Sequence, residues 1–436
     1  MFSHILIRSR QTRAEVDLVR GAALTAEAVL ALYDRDLYRE FGLFAFEART
    51  ADQAVSTLIG PDDQVDYTLR FQAELLDPDI LKDGVARHMT LRAATSLIAD
   101  AVDKFRSIRS LTQTIQLDQL TDLVPQAANA GYKPADPELD VDQDNPPDWL
   151  DEYNTYMDDQ VRGVYQTGLT HLAPLMIPSE EGRMESHHFN PFDNSGLDTI
   201  GTVVDHTLLV APEGVLDRII LSEYALSYFK SNTPFVIRQG LRQDDRTPDG
   251  RLIPLFPSNR DHEVEEIATG LEGRMATQAI DLFIGAIRFV LQLLNILTDE
   301  ALMASYRATA EIIVVAVAAI SLGEVVLPPQ VVMWVLIAAS ALGQSVSDTI
   351  QLKKGYEIDL WPGTSRINVP MRYRDYLRLL IVLQSPDVIA ARMVSKIAGR
   401  FPGAYFTEIL CQAQWSGVSI THAASYLTRN YLPSHS

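Results

Sequence analysis

Eleven consecutive residues, Val65–Leu75, alternate without a break. Val65, Tyr67, Leu69, Phe71, Ala73 and Leu75 are apolar or small, and Asp66, Thr68, Arg70, Gln72 and Glu74 between them are polar. Side chains of a strand point to opposite faces with a period of two, so this segment predicts a strand with one buried and one wet face. A strand of that kind belongs to an antiparallel sheet covered on one side only. What precedes it supplies elements to build around. Val16, Val19, Ala23, Ala26, Leu30 and Tyr33 recur at spacings of three and four, which predicts a helix over Gln11–Arg35. Gly42 then stops the helical pattern, and Leu43–Ala48, with Phe44 and Phe46 alternating, reads as a second strand.

Downstream the helical period dominates. Ile80–Ile108 reads as a charged amphipathic helix, Thr199–Val210 as a β-branched strand and Val215–Phe229 as a helix. Gln243–Arg260, with its prolines and Gly250, reads as a loop. Helices are expected at His262–Leu271, Met275–Leu297, Asp299–Leu322 and Gln330–Leu352, with another starting near Met371. Ser385-Pro386 has the form of an N-cap followed by proline at the first helical position, opening a helix over Asp387–Gly399. Ala404–Tyr426 is expected to close the fold with strands. The class is therefore α+β: a long N-terminal helix, antiparallel strands and a helix-rich C-terminal half. The expected organisation is an N-terminal helix over 1–35, an α+β subdomain over 36–132, an acidic proline-containing loop over 133–162, and a helix-rich α+β subdomain over 163–436.

Ile312–Gly323 and Val325–Ser347 carry no charge. The strictly apolar or small core of the second, Val331–Gly343, is short of the roughly 20 residues that span a bilayer. Length thus favours two buried helices joined at Glu324–Gln330, with a membrane-entering hairpin over 312–343 as the alternative. Met1–Gln11 holds only Ile5–Ile7 as an apolar run and contains no export signal.

Asp and Glu outnumber Lys and Arg by 57 to 37, a net charge of −20 that opposes binding to a nucleic-acid backbone. The single cysteine, Cys411, excludes an internal disulfide and a four-cysteine zinc site, and its apolar neighbours mark it as a small buried hydrophobe. Ten acidic residues and no basic one lie between Lys133 and Arg162, interrupted by four prolines, the composition of a solvated loop. Within it Asp140, Asp142, Asp144, Asp148 and Asp151 occupy positions 1, 3, 5, 9 and 12 of a calcium-type loop. Asn145 before proline replaces the glycine of the sharp turn, and Asp151 replaces the bidentate glutamate, so any Ca²⁺ would be held weakly.

Other chemistry is sparse. His187 and His188 are adjacent, so their side chains diverge. Asp205-His206 has no identifiable activated serine to serve. Dinucleotide, phosphate-loop, zinc-protease and serine-hydrolase motifs are lacking. Arg374 and Arg378, with Arg372 close by, read as surface charge on the helix from Met371, or as a contact for the acidic loop or an acidic partner. The expectation is a protein without enzymatic activity or cofactor.

Three stretches stand out together: Ala26–Phe46 (AEAVLALYDRDLYREFGLFAF); Ser222–Phe229 (SEYALSYF) with His262–Gly270 (HEVEEIATG); and Tyr373–Met393 (YRDYLRLLIVLQSPDVIAARM). In this order, with Pro78–Arg92, they resemble a family of uncharacterised exported bacterial proteins encoded with tight-adherence (Flp-type) pilus genes. The likeness runs from Arg13 to Ala404 and skips the acidic loop. It implies a fold and a genomic setting, and no catalytic residue. Members of that family begin with a transmembrane helix running into the segment equivalent to Arg13–Asp34. The resemblance thus implies an apolar helix just upstream of Met1, a position on the cell surface or extracellular side of the membrane, and other subunits of a pilus or surface apparatus as partners.

Overall fold

A computed structural model describes residues 2–58, 65–92, 102–104, 174–179, 182–188, 215–320, 329–363 and 369–426. Helices and antiparallel sheets make up an α+β fold whose C-terminal half is helix-rich.

The sheet is organised around β9 (Tyr405–Trp415), which pairs antiparallel with β1 (Phe46–Glu47), β2 (Asp66–Glu74) and β10 (Val418–Ser425). Strands from the two ends of the chain thus share one sheet. The expected alternation holds: Tyr67, Leu69 and Phe71 are opposite Ala413, Cys411 and Ile409, and all six belong to one apolar cluster. Asp66, Thr68, Arg70 and Gln72 face water. β9 and β10 are joined by Ser416 and Gly417, both at positive φ, the two-residue turn whose twist suits a hairpin.

The covered face is closed by α1 (Phe2–Leu30), which presents Leu18, Ala22, Ala26 and Val29 to the sheet. These residues recur at four, four and three, one helical stripe. Small side chains at 22 and 26 let the helix lie close. At Gly21 a Cβ would come within 2.4 Å of the Tyr67 hydroxyl. The helix begins earlier and ends sooner than the expected Gln11–Arg35. Asp34 breaks it by accepting hydrogen bonds from the amides of Asp36 and Leu37, which starts a separate helix, α2 (Arg35–Phe41). Gly42, at φ 70°, ends α2 in the left-handed conformation. The expected strand over Leu43–Ala48 shrinks to β1, because Ala48 already opens α3 (Ala48–Leu58).

The larger core is helical. It assembles α4 (Pro78–Arg92), α5 (Val215–Tyr228), α6 (Glu263–Thr269), α7 (Gly273–Thr298), α8 (Glu300–Ile320), α9 (Pro329–Lys353), α10 (Tyr373–Leu383) and α11 (Pro386–Arg400). Ser385 caps α11 through the amide of Asp387, as expected. Short hairpins decorate this body: β3 (Pro174–Pro178) with β4 (Met184–His188), β5 (Phe235–Arg238) with β6 (Leu241–Asp244), and β7 (Ile358–Asp359) with β8 (Pro370–Met371). α7 is apolar and long enough to cross a membrane, yet most of its apolar window is buried. It is the central helix of the core.

The two charge-free stretches part company. α9 buries Val332, Met333, Ile337, Ala338 and Ala341 and is a core helix on one side. α8 is not the buried helix that its length suggested. Ile312, Val315 and Ile320 are 69%, 68% and 85% exposed, and with Ala316 and Ala319 they form a continuous outer stripe. Ile313 and Val314 pack inward at the same time. From Ile312 onward the helix is apolar all round, so periodicity could not tell which side would be covered.

Candidate functional site

The calcium-type loop with Asp140, Asp142, Asp144, Asp148 and Asp151 lies outside the described residues, as do Asp205 and His206. His187 and His188 fall on β4, opposite Leu175 and Pro174. Among the described residues no three His, Cys, Asp or Glu side chains gather in a way that could hold a metal ion. Cys411 is buried between sheet and helix, and burial pushes its thiol up to about 11.

The structure corrects one expectation outright. Arg374 and Arg378 are not surface charges: they are buried where α10 crosses α5. Arg378 donates to Glu223 of α5 and, one turn back on its own helix, to Asp375. Arg374 lies 3.6 Å from Glu223 and 3.6 Å from Asp245. Lys104 adds a 2.7 Å bond to Asp375. α10 is enclosed nearly all round, so its charges must be satisfied by protein partners, on neighbouring elements or on α10 itself. Burial alone would raise the Asp375 carboxyl, but the charges of Arg378, Arg372 and Lys104 prevail and hold it well below the usual carboxylate range.

Beside this cluster Glu265 of α6 is fully buried. It accepts from the Asn232 amide at 2.8 Å and from the Tyr373 hydroxyl at 3.0 Å. No cation pairs with it among the described residues, and burial pushes it up to about 7. Tyr224 of α5 donates to the carbonyl of Phe41 at 2.8 Å, tying α2 to the same network. Arg260 bonds Glu263 at 2.8 Å and the carbonyl of Tyr228. The stretches Ala26–Phe46, Ser222–Phe229, His262–Gly270 and Tyr373–Met393 therefore meet in one interior network. Its groups bond one another across element boundaries, so this network joins the elements.

A roomy concavity lies elsewhere. It is a cleft of about 420 Å³ between α7, α8, α9 and the segment after β7. Arg288, Gln292 and Asn295 line it from α7, and Ser340, Gln344 and Asp348 from α9. The first set recurs at four and three, the second at four and four, so each lies on one face of its helix. That spacing is visible in the sequence. Arg288 and Asp348 form its floor, with contacts of 2.8 and 2.6 Å. Arg288 also donates to the carbonyls of Asp359 and Leu360, and Asp348 accepts from the amides of Gln292 and Gln344. The rim carries Trp361 and Tyr306, whose hydroxyl bonds Ser340 at 2.7 Å.

Comparison with known protein families, with curated proteins and with solved structures finds no match.

Proposed function

We propose that this chain is a non-enzymatic structural or accessory component of a tight-adherence pilus or a related surface secretion apparatus, working through its surfaces. The observation that supports this most is the division of labour along α1. From Leu18 onward the helix buries a stripe against the sheet, whereas Thr12, Arg13, Glu15, Val16 and Asp17 ahead of it are exposed. The helical backbone continues upstream of these residues to Phe2, so that the sixteen residues Phe2–Asp17 rise about 24 Å at 1.5 Å per residue. A subunit that packs half of a helix on its own sheet keeps the other half for a membrane helix upstream or for neighbouring subunits. The α+β body would then be presented on the cell surface, anchored through the helix that the family resemblance implies.

The test is fractionation of cells carrying the gene at its own locus, combined with protease treatment of intact cells. Membrane association with a protease-accessible body is expected. Retention of all the protein in the cytoplasm would overturn the reading.

A second reading has its own support in the outer stripe of α8. It is a soluble protein that uses the 312–343 hairpin to bind a membrane or lipid. Flotation with liposomes at neutral and acidic pH tests it. The protein should rise with the vesicles, and Ile312→Asp should abolish this because a charge in hydrocarbon is costly. Failure to float at either pH rejects the reading.

A further inference from the structure

We propose that the cleft between α7, α8 and α9 is a binding site for a neutral, hydroxyl-rich ligand of saccharide type. Its volume of about 420 Å³ falls in the range of roughly 300–1,000 Å³ typical of small-molecule sites. The chemistry of the lining narrows the class.

Among the described residues, the one cation in the lining is spent. Arg288 gives Nε and Nη2 to Asp348 and Nη1 to two backbone carbonyls. With Asp348 neutralised in this way and the Asp359 carboxylate at the edge, the described lining offers no free positive charge to a phosphate or a carboxylate. Its lining is also too polar for an acyl chain. What remains available is a set of groups that both donate and accept. The Asn295 amide is half-buried and makes no side-chain hydrogen bond among the described residues. The Gln292 and Gln344 amides each use only the nitrogen, toward Asp348, which leaves their carbonyl oxygens as acceptors. Hydroxyl groups, being donor and acceptor at once, match amides and carboxylates in this way.

Trp361 and Tyr306 flank these groups. Their rings supply flat apolar faces of the kind that cover the C–H face of a sugar ring, and the indole N–H has no partner among the described residues. The floor is rigid, because Asp348 holds Arg288, Gln292 and Gln344 together and each of the three is anchored on a long helix. Gly363 keeps the mouth open. It lies at φ 91°, and a Cβ there would come within 3.2 Å of the Asn295 side-chain oxygen.

The experiment is saturation-transfer NMR on the full chain. The probes are neutral mono- and disaccharides of the gluco, galacto, manno and N-acetylated series, with inorganic phosphate and putrescine as the anionic and cationic controls. At least one neutral sugar should receive saturation and be displaced by excess of itself. Asn295→Ala and Trp361→Ala should each weaken that binding by about ten-fold, the scale of one lost hydrogen bond or ring contact. Asn295→Ala removes a side chain without a partner, so it should melt like the wild type and keep the test valid if Trp361→Ala fails to fold. The proposal is overturned if no neutral sugar binds, if only phosphate or putrescine binds, or if folded Asn295→Ala binds undiminished.

Discussion

Arg378 and Glu223 form a buried ion pair although 155 residues separate them. The pair clamps α10 to α5, and through Asp375 and Arg374 it reaches Lys104 and Asp245. Neither residue has water as an alternative partner, since both side chains are essentially inaccessible. The two helices can therefore meet in only one register without stranding a charge. This is the use for which a buried pair is better suited than an apolar contact, whose net contribution to stability is often equal or larger.

Removing one partner should therefore cost more than the pair contributes. Arg378→Met leaves Glu223 with only the longer contact to Arg374, and a loss of about 3–5 kcal/mol in unfolding free energy is expected. The double variant Arg378→Met/Glu223→Met should lose less than the sum of the single variants. Urea denaturation of the four proteins of this cycle measures the coupling, and strict additivity would show that the pair is not coupled.

Glu265 and Asp375 should shape stability against pH in opposite directions. Burial lifts Glu265 from 4.5 to about 7 in the folded protein. The unfolded chain releases that proton first, so the stability linked to it is full below 4.5 and is lost as pH rises through about 7. Asp375 is held below 3.8, so its contribution is present above that value and is lost as pH falls toward the lower folded-state value. A stability maximum in the mildly acidic range follows. Thermal melting from pH 3 to 8 should show it, and Glu265→Gln should flatten the limb between pH 4.5 and 7 while leaving the acid limb in place. An unchanged neutral limb in Glu265→Gln would remove Glu265 as its source.

What could be read from the sequence was what depends on near neighbours. The alternation of Val65–Leu75 needs only its own eleven residues, and the Ser385-Pro386 start of α11 needs only three. Burial of Arg374 and Arg378 depends on Glu223 and Asp245, which lie far away along the chain, so a local reading assigned them to the surface. The exposure of α8 was hidden for another reason: Ile312, Ile313, Val314 and Val315 are apolar on every side, and an all-round pattern carries no direction. The polar cleft lies between these cases. Arg288, Gln292 and Asn295 share a face of α7, as Ser340, Gln344 and Asp348 do on α9. Only the packing of the two helices shows that the faces meet.

Cys411 should behave as an inert core residue. It sits opposite Leu69 and His422 in the sheet, inside the cluster that α1 covers. Burial raises the thiol to about 11, so the reactive thiolate is scarce as well as enclosed. Labelling by a thiol reagent such as Ellman's at pH 8 should be slow in native protein and complete within minutes in denaturant. Rapid labelling of the native form would mean that α1 lifts from the sheet readily.

That lifting can be provoked at Ala26. Its side chain is fully buried against the sheet, one turn along from Ala22 and close to Val29. A leucine there adds three carbons to a packed interface where the helix can yield only by rising off the strands, at an expected cost of about 1–3 kcal/mol. Because Thr12, Arg13, Glu15, Val16 and Asp17 are already exposed, the added strain should open the packed half and leave the helical core intact. Ala26→Leu should therefore speed both tryptic cleavage at Arg20 and labelling of Cys411, while the ion pair of Arg378 and Glu223 keeps the remaining body folded. Loss of the whole far-UV signal together with cleavage would instead show that sheet and helical core unfold as one unit. Cleavage at the wild-type rate would show that α1 is seated independently of Ala26.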